Sequence, residues 1–193
     1  MAKVNRRVMW GKSRADDFHE TIECAVMSDG SSPATEFLVS LSRGYWREDP
    51  EHKPPRDPDQ INDFVRLMGT IEHIGKEGCP ETGGSVNHLE DGIWEFKRGK
   101  LRLTYWDTPG DGTYSPKAKI DDKRTIVGPD PCDFWWYPRM DPILRLGCAW
   151  PKEGQFAPSE GIENAKSIRE EDCAHDRRST ESTELERPPS GDL

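Results

Sequence analysis

The chain has 193 residues, 33% of them hydrophobic and 33% charged, with a formal net charge of −9. So little apolar content predicts one domain with long loops or tails, and the acidity counts against nonspecific nucleic-acid binding over the whole surface. The five cysteines are odd in number and contain no CxxC, which argues against a disulfide framework or zinc site; with no signal-like or membrane-spanning apolar run, a reducing cytoplasm is expected.

Arg7 to Trp10 reads as a short first strand, and Ser13 to Cys24 is ambiguous between strand and helix. SSPATEFLVSLSRGYW predicts a helix with Ser32 near the N-cap, Pro33 in its first turn, Phe37, Leu38 and Leu41 on one side, and Gly44 at its end. Residues 46–58 are rich in proline and charge and predict an exposed loop. A second helix is expected from about Asp59 to Gly75, with Ile61, Phe64, Val65, Met68, Ile71 and Ile74 at helical spacing, packed on the first as a hairpin. A glycine-rich break, GKEGCPETGG, then leads to the central feature of the chain.

From His88 to Trp106 the residues alternate around a glycine, which predicts two antiparallel strands. With Arg98-Gly99 as a two-residue turn, Trp94, Phe96, Leu101 and Leu103 share one face, and Glu95, Lys97, Lys100 and Arg102 share the other. Cations fixed on a rigid sheet meet a phosphate chain at defined positions. Residues 107–142 read as a long irregular insertion with a possible strand at Arg124 to Val127 and an aromatic cluster, Phe134, Trp135, Trp136 and Tyr137. PILRLGCAW predicts a further strand, and APSEGIENAKSIREEDCAHD a final helix capped by Ser159, with Ile162, Ala165 and Ile168 on one side. Residues 1–176 thus form one domain. Residues 177–193 read as a disordered acidic tail, and the stretch from Glu170 to Leu193 carries −5 of the net charge.

HLEDGIWEFKRGKLRLTYW resembles the segment of RelE/HigB-type toxins in which leucine and glycine precede an aromatic-Glu-x-Arg/Lys strand, a turn, and a strand reading x-Arg-x-x-Tyr. WPKEGQFAPSEGIENAKSIREED is similar to the same superfamily's aromatic-x-Lys-Lys motif, Gln-x-x-Pro turn and closing Glu-Ile-x-x-Ala helix. The likeness covers about Asn62 to Asp172, in the phage-derived-protein-like branch of the RelE/ParE superfamily. Lys97 stands where arginine is commoner, Glu153 replaces a lysine, Cys148 replaces a histidine, Gly161 stands where glutamate is usual, and the long insertion has no counterpart in compact members.

The resemblance implies an α+β fold, a small antiparallel sheet flanked by an N-terminal helical hairpin and a C-terminal helix. It also implies the toxin of a type II toxin-antitoxin pair. Such a toxin is a cytoplasmic mRNA endoribonuclease that needs no metal, acts on ribosome-bound mRNA, causes growth arrest, and is silenced by a cognate antitoxin, often of helix-turn-helix type. Its 2′-hydroxyl mechanism requires a proton acceptor, cations for the crowded phosphate, and an acid for the leaving 5′-oxygen.

Arg102 is the first candidate, as a bidentate phosphate ligand that stays protonated; its alternative is a cross-strand ion pair with Glu95. Lys97 offers a second phosphate contact or, with a depressed pKa, a base; otherwise it is a solvated strand lysine. Tyr105 is a proton donor or a stacking ring, although its parity places it with Leu101 and Leu103 toward the core. Lys152 follows the motif tryptophan Trp150, and His88 has the right ordinary pKa for acid-base work but otherwise caps a turn. Lys100, Arg98 and Arg139 are candidate RNA contacts, the last among aromatics that either stack on bases or pin the insertion. No phosphate loop, HExxH or nucleophile elbow is present, so neither metal nor cofactor is expected. Two other functions fit the same sequence: a gyrase-inhibiting toxin of the superfamily, and a noncatalytic interaction protein that binds through the insertion.

Overall fold

The computed structural model describes residues 6–11, 21–125 and 133–185. In chain order it contains β1 (Val8–Gly11), β2 (Thr21–Cys24), α1 (Pro33–Arg43), α2 (Pro58–Glu77), β3 (Val86–His88), β4 (Trp94–Arg98), β5 (Leu101–Thr108), β6 (Ile143–Pro151) and α3 (Ser159–Leu185). The strands form one sheet in the order β1-β2-β6-β5-β4-β3. The α+β class holds, but the sheet is mixed and has six strands, because β2 lies parallel to β6, Thr21 to Cys24 beside Ile143 to Leu146. Helices pack on both faces. α1, α2 and part of the insertion enclose one core around Phe37, Leu41, Ile71, Phe96 and Tyr105, and α3 encloses a second around Trp106, Trp150, Ala165 and Ile168.

The helices start where their local chemistry dictates. Pro33 opens α1, and Ser32 stands at the N-cap position, but its hydroxyl donates to the Ala25 carbonyl at 2.7 Å instead of capping. Gly44 ends α1 at φ +73°. α2 begins at Pro58, just before the expected Asp59, because the Asp57 carboxylate accepts from Asp59 N–H at 2.9 Å and caps it. Its inward stripe is Gln60, Leu67, Ile71 and Ile74; Val65 points outward and is 62% exposed. The 46–58 loop is irregular, as its prolines predict, yet Trp46 is buried against Phe37 and the Gln60 side chain bonds both its backbone N–H and its carbonyl.

β3 was not foreseen from the hydrophobic pattern. It joins β4 through the tight turn Glu90-Asp91-Gly92-Ile93, where Asp91 and Gly92 both take positive φ, +50° and +70°, the type I′ geometry that Asp-Gly favours. In the central hairpin the turn residues are Gly99 and Lys100, not Arg98 and Gly99, and Lys97 pairs with Arg102. Gly99, at φ +53°, occupies the first central position, the one a type II′ turn reserves for glycine. The register therefore moves by two residues and the predicted faces survive, although Lys100 leaves the strand for the turn.

One bulge decides what the end of β6 presents. Leu103 pairs with Ala149 but Tyr105 with Leu146, so Gly147 and Cys148 together face Thr104. The Thr104 hydroxyl fills the gap, accepting from Cys148 N–H and donating to its carbonyl, both at 2.9 Å. A Cβ at residue 147 would lie 2.5 Å from that hydroxyl oxygen. The extra residue reverses the parity of β6: Leu144 and Leu146 face the α1–α2 core, whereas Cys148 and Trp150 face α3.

The insertion starts after Thr108, because β5 runs two residues past the expected boundary. Lys117 pairs with Asp107 at 2.8 Å and Asp141 at 2.6 Å, and its carbonyl accepts from the Trp94 indole at 2.8 Å. Of the strand expected at Arg124 to Val127, the described part belongs to a 3₁₀ turn, Lys123–Thr125, and the rest lies outside the described residues. α3 begins at Ser159 itself and continues to Leu185, past Arg177 where disorder was expected. Its middle is fastened by buried ion pairs described below, and Arg177 donates to the Gly112 carbonyl at 2.8 Å, so the polar end extends a helix already anchored. Residues 186–193 lie outside the described residues. No helix among the described residues is long and apolar enough to cross a membrane.

Candidate active site

Alternation along β4 and β5 sends Glu95, Lys97, Arg102 and Thr104 to the face that carries α3. α3 does not cover that face as far as the hairpin. Between β3, β4, the end of β6 and the loop after it lies a cleft of about 400 Å³, lined by Asn87, Glu95, Lys97, Arg102, Trp150, Lys152, Gln155 and Phe156 among others. Trp150 reaches this wall only through the Gly147–Cys148 bulge. The sequence thus brings Arg102, Lys97 and Lys152 together in one place, from three separate segments.

Two polar groups of the cleft, Arg102 and Glu95, are buried yet loosely matched. Arg102 is 8% exposed, and its Nη1 donates to the carbonyls of Gly99 at 2.9 Å and Leu101 at 2.6 Å, leaving its Nε side turned toward Glu95 at 3.6 Å. Glu95 is 5% exposed and takes a long hydrogen bond from the Asn87 amide at 3.4 Å. The predicted Arg102–Glu95 ion pair is therefore present, diagonally across the hairpin rather than directly opposite. Burial raises the Glu95 carboxyl above the usual glutamate range, against the pull of Arg102, Asn87, Lys97 and Lys152. Burial lowers the Lys97 ammonium, opposed by Glu95 and assisted by Arg102 and Lys152. Lys152 is exposed at the rim, and Phe156 stands beside it, 88% exposed. At the turn between β3 and β4, Arg169 of α3 donates to the Asp91 carbonyl and carboxylate at 2.8 and 3.0 Å and lies 4.2 Å over the Tyr114 ring.

The other candidates lie elsewhere. Tyr105 is fully buried on the opposite face, its hydroxyl 3.2 Å from that of Tyr137, and burial pushes its pKa well above the usual tyrosine range; the odd parity of the strand wins over its place in the motif. His88 borders the cleft, but it pairs with Trp94 in the register and its ring packs on that indole at 5.0 Å, on the opposite face. Burial lowers its pKa, against the nearby Asp121, and its Nε2 is buried without a hydrogen bond. Asn87, one residue earlier on β3 and paired with Glu95, lies on the cleft face. Arg98 and Lys100 sit at the hairpin tip, Arg98 paired with Asp63 of α2 and Lys100 with Glu51 of the loop before it. Arg139 lines a separate depression with Lys117 and Asp141. The aromatic cluster pins the insertion: Trp136 stacks on Trp94 at 6.4 Å and 17°, and Tyr137 meets it edge-on at 5.2 Å.

Sequence reasoning missed Asn87, Gln155 and Phe156, and treated Glu95 only as a partner of Arg102. The Asp91-Gly92 turn was the signal for Asn87, since it creates the strand that carries it. Among the described residues no group of three or more His, Cys, Asp or Glu side chains is placed to hold a metal ion. Compared with known protein families and with curated proteins, the chain matches none.

Proposed function

We propose that this chain is a RelE/HigB-like endoribonuclease, the toxin of a type II toxin-antitoxin pair, which cuts ribosome-bound mRNA by using the 2′-hydroxyl as internal nucleophile and is silenced by an antitoxin seated over the cationic cleft. The observation that carries this reading is the cleft itself, where Lys97, Arg102 and Lys152 converge around one buried carboxylate. The order of strand, two helices, strands and final helix supports it, as does the motif resemblance of the two segments that build the cleft. Arg102 stabilises the dianionic phosphorane through the Nε side of its guanidinium, since Nη1 is engaged by the backbone. Lys97, whose pKa is lowered, is suited to proton transfer. Lys152 at the rim holds the incoming phosphate chain.

Expression without a partner in a bacterial host arrests growth and yields cut transcripts, mapped by primer extension. Arg102→Ala reduces cutting by about 10²–10³-fold and relieves arrest. Arrest with intact RNA and a DNA-damage response assigns the chain instead to gyrase inhibition. Full function of Arg102→Ala, with loss on deleting residues 109–142, assigns it to noncatalytic partner binding.

A further inference from the structure

We propose that Glu95 is a catalytic residue of this cleft, the group that takes the 2′-hydroxyl proton, rather than the counter-ion of Arg102; the inference rests on the ribonucleolytic reading above. Its placement is that of a general base. It lies on the cleft wall, 5% exposed, on a strand whose neighbours on both sides fix it. Its contacts are too long for a settled ion pair: 3.6 Å to Arg102 Nε and 3.4 Å to Asn87 Nδ2. Carboxylates with a structural task in this molecule are met closer, Arg145 reaching Glu23, Asp172 and Asp176 at 2.6, 3.0 and 3.1 Å. Both neighbours of Glu95 approach Oε1, so Oε2 is the oxygen that accepts the proton.

The environment of the pair Glu95 and Lys97 gives the two halves of the reaction. Burial moves the carboxyl upward and the ammonium downward, toward the middle range where proton transfer in both directions is efficient. In the step, the 2′-hydroxyl proton passes to Glu95 Oε2 while the 2′-oxygen forms its bond to phosphorus. The bond from phosphorus to the 5′-oxygen breaks, and that oxygen takes a proton from the Lys97 ammonium. The products are a 2′,3′-cyclic phosphate and a 5′-hydroxyl, and solvent returns the proton from Glu95 to Lys97. Arg102 carries the charge on the phosphoryl oxygens throughout.

The two roles of Glu95 predict opposite signs for Glu95→Gln. A counter-ion holds Arg102 back, so its loss frees the arginine and leaves cutting unchanged or faster. A base is indispensable, so its loss slows cutting by about 10²–10⁴-fold, while removal of a negative charge leaves phosphate binding equal or tighter. The full chain is added to mRNA under translation in a cell-free system and cleavage rates are read by primer extension. Binding is measured by anisotropy of a fully 2′-O-methylated single-stranded oligoribonucleotide, which cannot be cut. We expect slow cutting with undiminished binding, partial rescue by Glu95→Asp, and loss in the glutamine variant of the acid limb of the wild-type pH profile. Wild-type or faster cutting by a folded Glu95→Gln chain overturns the proposal, as does a parallel loss of binding and cutting. If the glutamine variant does not fold, a Glu95→Asp pH profile identical to wild type overturns it. Failure of the wild-type chain to cut RNA overturns the ribonucleolytic reading itself, which is a different result.

Discussion

Two buried arginines on the α3 face of the sheet show how the same side chain is used in two ways. Arg145, 3% exposed, is surrounded by Glu23, Asp172 and Asp176, and Arg6 closes the circle by meeting Asp172 and Asp176 at 2.9 Å each. Asp172 also accepts from the Val26 amide at 2.9 Å. Every charge there meets an opposite one within 3.1 Å, and the cluster bolts α3 to β2 and β6. Arg102, at the other end of the same face, has one carboxylate at 3.6 Å and opens onto a cleft. Complete matching spends a charge on the fold, whereas incomplete matching beside a cavity leaves it available to a ligand.

The sharpest way to break this contrast is to remove the brace. Arg145→Ala leaves Asp172 and Asp176 buried with only Arg6 between them, and loss of one partner from a buried network costs about 3–5 kcal/mol. Urea unfolding followed by circular dichroism measures it. Lys152→Ala, at the exposed rim of the cleft, changes stability by no more than about 0.5 kcal/mol. Equal effects for the two variants would erase the distinction between the ends.

Gly147→Ala comes next, because it links the two regions. The new Cβ would meet the Thr104 hydroxyl at 2.5 Å and the Trp106 ring at 2.8 Å, so the bulge must shift, at about 1–3 kcal/mol. Trp150 depends on that bulge for its place in the cleft, so the proposed RNA cutting falls together with stability. Tyr105→Phe then separates motif from site. It removes one buried hydroxyl contact, at 3.2 Å to Tyr137, worth about 1 kcal/mol, and leaves cutting unchanged. A large loss of cutting without loss of stability would return Tyr105 to the reaction.

These variants also mark what the sequence discloses. Period-two alternation identified the two faces of the hairpin even with the turn misplaced, since a slip of two residues conserves parity. Ser32-Pro33 and Gly44 bounded α1, and Ile162, Ala165 and Ile168 gave the inward stripe of α3. Long-range pairing was illegible. β2 and β6 are parallel across 122 residues of chain, as between Glu23 and Arg145, and nothing local announces it. Asp172 and Asp176 counted only toward the acidic stretch from Glu170 to Leu193, because the arginines that pair with them, Arg6 before β1 and Arg145 on β6, lie far away in the chain. The cleft was half legible: Arg102, Lys97 and Lys152 follow from motif and parity, but Asn87 needs β3 and Trp150 needs the bulge. Tyr105 lies on the core face, as its parity predicted, and His88 borders the cleft while its ring packs on Trp94.

The smallest effect tests the contrast through pH. Burial raises the Glu95 carboxyl above its ordinary value of about 4.5, so the unfolded chain releases that proton at lower pH than the folded one. Between the ordinary value and the raised one the folded state holds more protons, and stability falls as pH rises through that window. Glu95→Gln has no such loss, so the stability difference between variant and wild type should shift in favour of the variant as pH increases from below 4.5 toward neutrality. A carboxylate whose pKa is depressed by a close ion pair would give the opposite slope, with wild type gaining on the variant. Paired denaturation curves at several pH values decide the sign. A slope favouring wild type would place Arg102 and Glu95 in the same class as the brace, and the open end of the sheet would then hold its charge for the fold.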